Sequence, residues 1–221
     1  MRKHRNDRPR GRRSLVILIL IAAATTILGL GFGASDARSS SGADAPGTAR
    51  TAMLPTAGDL ATPAGRMVRD LTSGHPDRVA DELPPDFTTD LGYRPRVVAG
   101  YPVNPSGGCS SPVTLPRRFE VLCRSHDFGY DVLRYAAETG HPLGGWARLR
   151  LDRQLVDRMH ASCTYPLCDA AATATEVALR LNTWRQYDGP PTAVESATQI
   201  VSSGVGRGWA DLLDRRADTP Q

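Results

Sequence analysis

Apolar positions fall into a helical rhythm only in the second half of the chain. In 117-RRFEVLCRSHDFGYDVLRYAAETG-140, Phe119, Leu122, Cys123, His126, Tyr130 and Leu133 recur at three- and four-residue steps. Pro116 marks the start and Gly140 supplies a C-cap. A second helix is expected over 146-WARLRLDRQLVDRMHASC-163, with Trp146, Leu149, Leu155, Val156 and Met159 as its stripe. A third covers 167–187 and stops before 188-DGPP-191, and a fourth, amphipathic, covers 192–216 and either covers the fold or lies on a membrane, its few aromatics favouring packing. A weaker helix is expected at 59–72. Residues 73–116 carry Pro84, Pro85, Pro95, Pro102, Pro105, Pro112 and Pro116, with no hairpin signal, and read as irregular turns. The expected fold class is mainly α.

Two of these apolar faces carry groups that do not belong there. Asp152 lies three residues from Leu149 and Leu155 and four from Val156, on the face that should be buried. A lone buried carboxylate is costly and needs a partner. His126 shares the first helix's stripe with Leu122, Cys123 and Tyr130. The short connection 140-GHPLGG-145 suggests antiparallel packing, which brings the two faces together. A His donating one ring N–H to a buried Asp keeps its other nitrogen as a base, and the carboxylate fixes the tautomer. Asp127 points about 100° away from His126 and can face a cation instead. The loop 104-NPSGGCSSP-112, with two glycines, offers backbone carbonyls of the kind a hard ion such as Ca²⁺ takes.

The N-terminus changes the picture of charge and location. The chain holds 27 Lys+Arg against 23 Asp+Glu, but residues 1–13 contain seven of the basic and one of the acidic residues. The remainder has 20 against 22, with its arginines scattered, so no nucleic-acid footprint is present. The basic start runs into 15-LVILILIAAATTILGLGFGA-34, uncharged and long enough for a bilayer core of ~30 Å. Positive charge before such a run keeps the N-terminus cytoplasmic and sends the rest outward. Residues 1–37 therefore read as a retained anchor or as a signal peptide cut near Ser35 and Ala37. Residues 38–58, rich in small polar residues, read as a stalk, 59–116 as an extended Pro/Gly-rich segment and 117–187 as the core. Residues 188–221 are the C-terminal helix and tail. Outside the cytoplasm the four cysteines Cys109, Cys123, Cys163 and Cys168 should be paired. Three pairings are open, and joining sequence neighbours is the simplest.

The stretch Cys-x-x-His-Asp-Phe-Gly-Tyr, Cys123 to Tyr130, resembles the active-site helix of the prokaryotic and fungal type of secreted phospholipase A2. The likeness continues through RLDRQLVDRMHASC, Arg150 to Cys163, and through two local cysteine pairs. It covers about residues 105–187. The resemblance implies a core of two antiparallel, disulfide-linked helices plus additional helices. It implies that His126 is the general base for water attack on the sn-2 ester of a phospholipid, and that Asp152 orients it. Asp127 would be a calcium ligand, with the metal holding phosphate and oxyanion. Backbone carbonyls of Gly107, Gly108 and Ser110 would complete the metal site. Tyr130 and Phe119 are candidates for the substrate pocket. The bacterial members usually carry an aspartate two residues before the first cysteine. Here that residue is Gly107, so calcium is expected to bind more weakly. The expected partner is a phospholipid or membrane surface, and the exported domain is expected to be monomeric.

Two other readings compete. Cys123, His126, Cys163 and Cys168 form a possible Cys₃His zinc set. Alternatively, the domain is a tethered module with a weak or absent activity that binds lipid or a protein partner.

Overall fold

The computed structural model describes residues 54–111, 113–192 and 195–217. The apolar run at 15–34 and the stalk up to residue 53 lie outside the described residues. Seven α-helices occur among those described: α1 (Ala57–Ala61), α2 (Pro63–Leu71), α3 (Phe87–Leu91), α4 (Glu120–Glu138), α5 (Gly145–Ser162), α6 (Pro166–Arg185) and α7 (Ala197–Ala217). None of them is long and apolar enough to cross a membrane. The mainly helical reading is correct.

Two threonines set the first helices. Thr56 and Asp59 form a reciprocal capping box at α1, and the Thr62 hydroxyl accepts the Gly65 N–H at the start of α2. Asp59 also accepts a hydrogen bond from Trp146 Nε1 at 2.9 Å, which ties α1 to the first turn of α5. The single weak helix expected at 59–72 is thus two helices, and the expected stalk boundary at 58 falls inside the first.

The Pro-rich segment is more ordered than its composition suggests. It contains a 3-10 turn at Pro76–Ala80, the helix α3, and two strands, β1 (Arg96–Val98) and β2 (Tyr101–Val103), and a second 3-10 turn, Arg117–Phe119, follows it. The strands pair antiparallel, with Arg96 opposite Val103 and Val98 opposite Tyr101. This corrects the expectation of no hairpin. Ala99 and Gly100 both take positive φ, 52° and 81°, as the two-residue turn between twisted strands demands.

α4 is the central helix. It packs against α2, α3, β2 and α5, and residues on all its sides are buried. One core cluster joins α2, α3 and the second half of α4, with Phe87 set edge-on to Phe128 and Tyr135 at centroid distances of 5.8 and 5.2 Å. A second cluster joins Phe119, Leu122, Leu155 and Met159 at the other end of the α4–α5 seam. The two helices run antiparallel: Arg118 reaches the Ser162 carbonyl, His126 meets Asp152, and the Arg148 guanidinium lies over the Tyr130 ring. The Cys109–Cys123 and Cys163–Cys168 disulfides are both formed, joining sequence neighbours.

Candidate active site

The seam between α4 and α5 places His126 and Asp152 in contact. Nε2 of His126 lies 2.8 Å from Oδ1 of Asp152, and both residues are buried. Two further donors converge on this carboxylate. The Tyr130 hydroxyl donates to Oδ1 at 2.6 Å, and the Thr183 hydroxyl donates to Oδ2 at 2.7 Å. Burial alone would push the Asp152 carboxyl up. The hydrogen bonds from His126, Tyr130 and Thr183 outweigh it and hold the group below the usual carboxylate range. Asp152 is therefore ionised at neutral pH and only accepts, so the proton of the contact sits on Nε2. In the neutral imidazole, Nδ1 is then the acceptor nitrogen. It has no hydrogen-bond partner among the described residues and is not sealed from solvent. The seam thus holds an oriented imidazole with one ring nitrogen that makes no hydrogen bond within the described residues.

Packing fixes the ring. The Tyr130 ring lies 4.1 Å from the imidazole, centroid to centroid. Arg148, 1% exposed, stacks over the far side of the site with its guanidinium carbon 5.3 Å from the Tyr130 centroid. Its Nη1 donates to the Gly189 carbonyl at 2.8 Å. Tyr130 stands where a pocket candidate was expected, but its hydroxyl is spent on Asp152. Phe119 is fully buried among Leu122, Leu155 and Met159 and reaches no surface.

The loop before Cys109 lies against the face of α4 that carries Asp127. Arg124 clasps it, donating Nη2 to the Pro105 carbonyl at 2.7 Å, while the Asn104 N–H returns to the Arg124 carbonyl at 3.0 Å. The Cys109–Cys123 bond staples the same loop one turn before His126. Gly108 N–H then donates to Asp127 Oδ2 at 2.8 Å. Burial pushes the Asp127 carboxyl above its ordinary value, the Asp131 charge adds to this, and the Gly108 bond only partly offsets it. A Cβ at residue 107 would sit 2.6 Å from Asp127 Oδ2, so the loop can approach only as glycine there. The second carboxylate of the bacterial pattern therefore has no room at 107 in this backbone.

A divalent cation suits what is left. Asp127 is a partly buried carboxylate with one N–H partner and no ion pair among the described residues, although His126 and Arg134 lie close enough to act on it. The carbonyls of Gly107, Gly108 and Ser110 make no hydrogen bond among the described residues. The donors are all oxygens, the set a hard ion takes. No group of three or more His, Cys, Asp or Glu side chains gathers among the described residues. Any affinity therefore leans on backbone oxygens. All four cysteines are disulfide-bonded, which removes the Cys₃His zinc reading.

Three participants escaped the sequence. Thr183 arrives from α6, 31 residues beyond Asp152, with no periodic cue linking it to the seam. Arg148 is buried where a charged residue is expected to be solvated. Asp131, one turn past Asp127, is buried and accepts from Tyr93, from Arg134 and from Asn104 Nδ2 at 2.8 Å, bracing the loop from the other end. The i, i+4 spacing of Asp127 and Asp131 was the available signal. A cavity of about 580 Å³ opens nearby between Cys109, Ser111, Leu115 and Glu120, and neither His126 nor Asp127 lines it. No protein-family model, no curated protein and no solved structure matches this chain.

Proposed function

We propose that the domain is a phospholipase A2-like carboxylic ester hydrolase, exported from the cytoplasm, that cleaves the sn-2 ester of glycerophospholipids. The observation that carries the reading is the buried His126–Asp152 pair, with Nδ1 of His126 unpartnered among the described residues and not sealed off. A water held at Nδ1 loses its proton to the imidazole as its oxygen attacks the ester carbonyl carbon. Asp152 stabilises the imidazolium so formed and keeps the ring from turning. When the tetrahedral intermediate collapses, the imidazolium returns the proton to the departing glycerol oxygen. The products are a free fatty acid and a lysophospholipid, and no serine nucleophile is required.

Asp127 with the carbonyls of Gly107, Gly108 and Ser110 would hold a calcium ion. Bound there, such an ion supplies Lewis-acid stabilisation of negative charge on phosphate and carbonyl oxygen. The lone carboxylate favours millimolar over micromolar calcium.

A second reading, a lipid-binding module without turnover, draws on the same lone carboxylate. The two separate in an assay of fatty-acid release from mixed phospholipid vesicles over a calcium titration, comparing the native chain with His126→Gln. Glutamine keeps a donor for Asp152 and removes the base. The hydrolase reading expects calcium-dependent release that the substitution abolishes. Release that survives the substitution would overturn the mechanism, and no release at any calcium concentration would favour the module.

A further inference from the structure

α7 sits on the domain with its faces reversed. Its 21 residues span about 32 Å and pack on α6. The side turned to α6 is polar. Ser203 Oγ accepts from Arg185 Nη1 at 2.9 Å, and Asp211 Oδ2 accepts from Trp184 Nε1 at 2.9 Å. The Arg207 guanidinium lies 4.0 Å from the Tyr187 ring centroid. The side turned away is apolar. Val201, Val205, Trp209, Leu212 and Leu213 are 47–69% exposed. Val201, Val205, Trp209 and Leu213 follow one another as a ridge at four-residue steps with Leu212 beside them, while Gly208 lies on the other side, against Trp184. A helix that folded only to complete a core would turn the other way. A contiguous exposed apolar face of this kind marks an interaction site.

We infer that this outward face of α7 is a membrane-surface element that lays Val205, Trp209 and their ridge neighbours into the interface of a phospholipid bilayer. Three observations select lipid as the occupant. Trp209, 65% exposed, stands in the middle of the ridge, and tryptophan favours the lipid–water boundary. The chain also carries an uncharged run of bilayer length at 15–34, which as an anchor or as a signal peptide directs the molecule to a membrane. Charge does not select a protein partner either: α7 has three arginines, at 207, 215 and 216, against two aspartates, at 211 and 214. Apolar insertion therefore dominates over attraction to anionic headgroups, and zwitterionic lipid is sufficient. The choice of phospholipid rests in part on the proposed substrate, and the residues involved lie beyond 190, outside the stretch that resembles phospholipase A2.

The geometry places α7 relative to the catalytic seam. α6 contributes Thr183 to Asp152 and, in the next two residues, Trp184 and Arg185 to α7. One turn of helix thus joins the base's carboxylate to the lipid-facing element, so docking α7 sets the seam at a fixed distance from the bilayer.

The test uses the full chain in vesicles of diether phosphatidylcholine, which has no ester to hydrolyse, so its outcome is independent of the proposed catalysis. A nitroxide label is attached through Val205→Cys, and in a separate chain through Leu212→Cys in case the first substitution disturbs the disulfides. A control label replaces Arg153, whose side chain on α5 is 74% exposed. Collision with oxygen is compared with collision with a water-soluble nickel chelate. The expected result is an oxygen-to-nickel ratio about tenfold higher at 205 and 212 than at 153, the signature of a label a few ångström below the headgroups. Equal ratios at all three sites would overturn the inference. Protection of 205 from both reagents, or dipolar broadening between labels, would assign the face to this chain's own apolar segment or to a second copy, and would overturn it too.

Discussion

The α4–α5 seam and the C-terminal helix invert the usual distribution of polarity in opposite ways. The seam takes charged and polar groups inward, and almost every one finds a partner: Asp152 alone accepts from His126, Tyr130 and Thr183. α7 turns its polar groups inward as well, but leaves Val205 at 69% and Trp209 at 65% exposure with no partner in the domain. Both arrangements cost stability relative to an ordinary core and surface. The difference lies in where compensation comes from. In the seam it comes from within the fold, through hydrogen bonds that rigidify one imidazole. In α7 nothing within the described residues supplies it, so the compensating surface is external. Asp152 with three donors marks a preorganised carboxylate, although Arg148 beside it leaves Nε and Nη2 without partners among the described residues, and exposed apolarity marks a docking face.

Substitutions should separate the two regions sharply. The largest effect is expected at the base. His126→Gln should lower kcat for ester hydrolysis by about 10³-fold, read from fatty-acid release, with far-UV circular dichroism unchanged. Next, Asp152→Asn removes the charge that three donors address. It should destabilise the domain by about 2–4 kcal/mol in urea unfolding and also depress kcat. Its pH dependence has a definite sign. The folded Asp152 carboxyl is held below its unfolded value of about 3.9, so its contribution is fully present above that pH. It is lost as pH falls through the folded value, and native stability should drop more steeply there than that of Asp152→Asn.

Asp127 should behave in the opposite sense. Burial raises its carboxyl, so the ionised form costs stability above its folded value, and the cost vanishes below about pH 3.9. Asp127→Asn keeps the acceptor for Gly108 N–H. It should raise Tm at neutral pH by about 2–4 °C without calcium. Millimolar calcium should raise the Tm of the native chain and leave the variant unmoved, as differential scanning fluorimetry would show. The smallest effect belongs to α7. Trp209→Ser should shift unfolding free energy by less than about 0.5 kcal/mol, since the side chain is exposed, and should leave hydrolysis of a monomeric, short-chain substrate unchanged. A large loss of stability there would mean that the ridge is part of the core, and the contrast between the regions would disappear.

The parts legible in the sequence were those that local periodicity controls. His126 and Asp152 could be brought together because each interrupts an apolar stripe and because a six-residue connection forces their helices side by side. The cysteine pairs followed from sequence proximity. Thr183 was invisible, because its role depends on how a third helix crosses the seam. The burial of Arg148 is not legible, because periodicity does not show that Tyr130 and the Gly189 carbonyl close over it. The 96–103 hairpin was hidden by Pro102 and by an Ala99-Gly100 turn that lacks the usual asparagine or aspartate. For α7 the helix is legible and its orientation is not: Trp184 and Arg185, which anchor its polar side, lie on another helix.

The central claim is a water molecule activated by His126 at an sn-2 ester, and one measurement addresses it. A phosphatidylcholine with distinguishable sn-1 and sn-2 chains is incubated with the native chain and with His126→Gln in H₂¹⁸O and calcium, and the products are resolved by mass spectrometry. The account predicts release of the sn-2 acid carrying one ¹⁸O, an unlabelled lysophospholipid, and a rate about 10³-fold lower for the variant. Release from sn-1, or equal rates for the two chains, would contradict it.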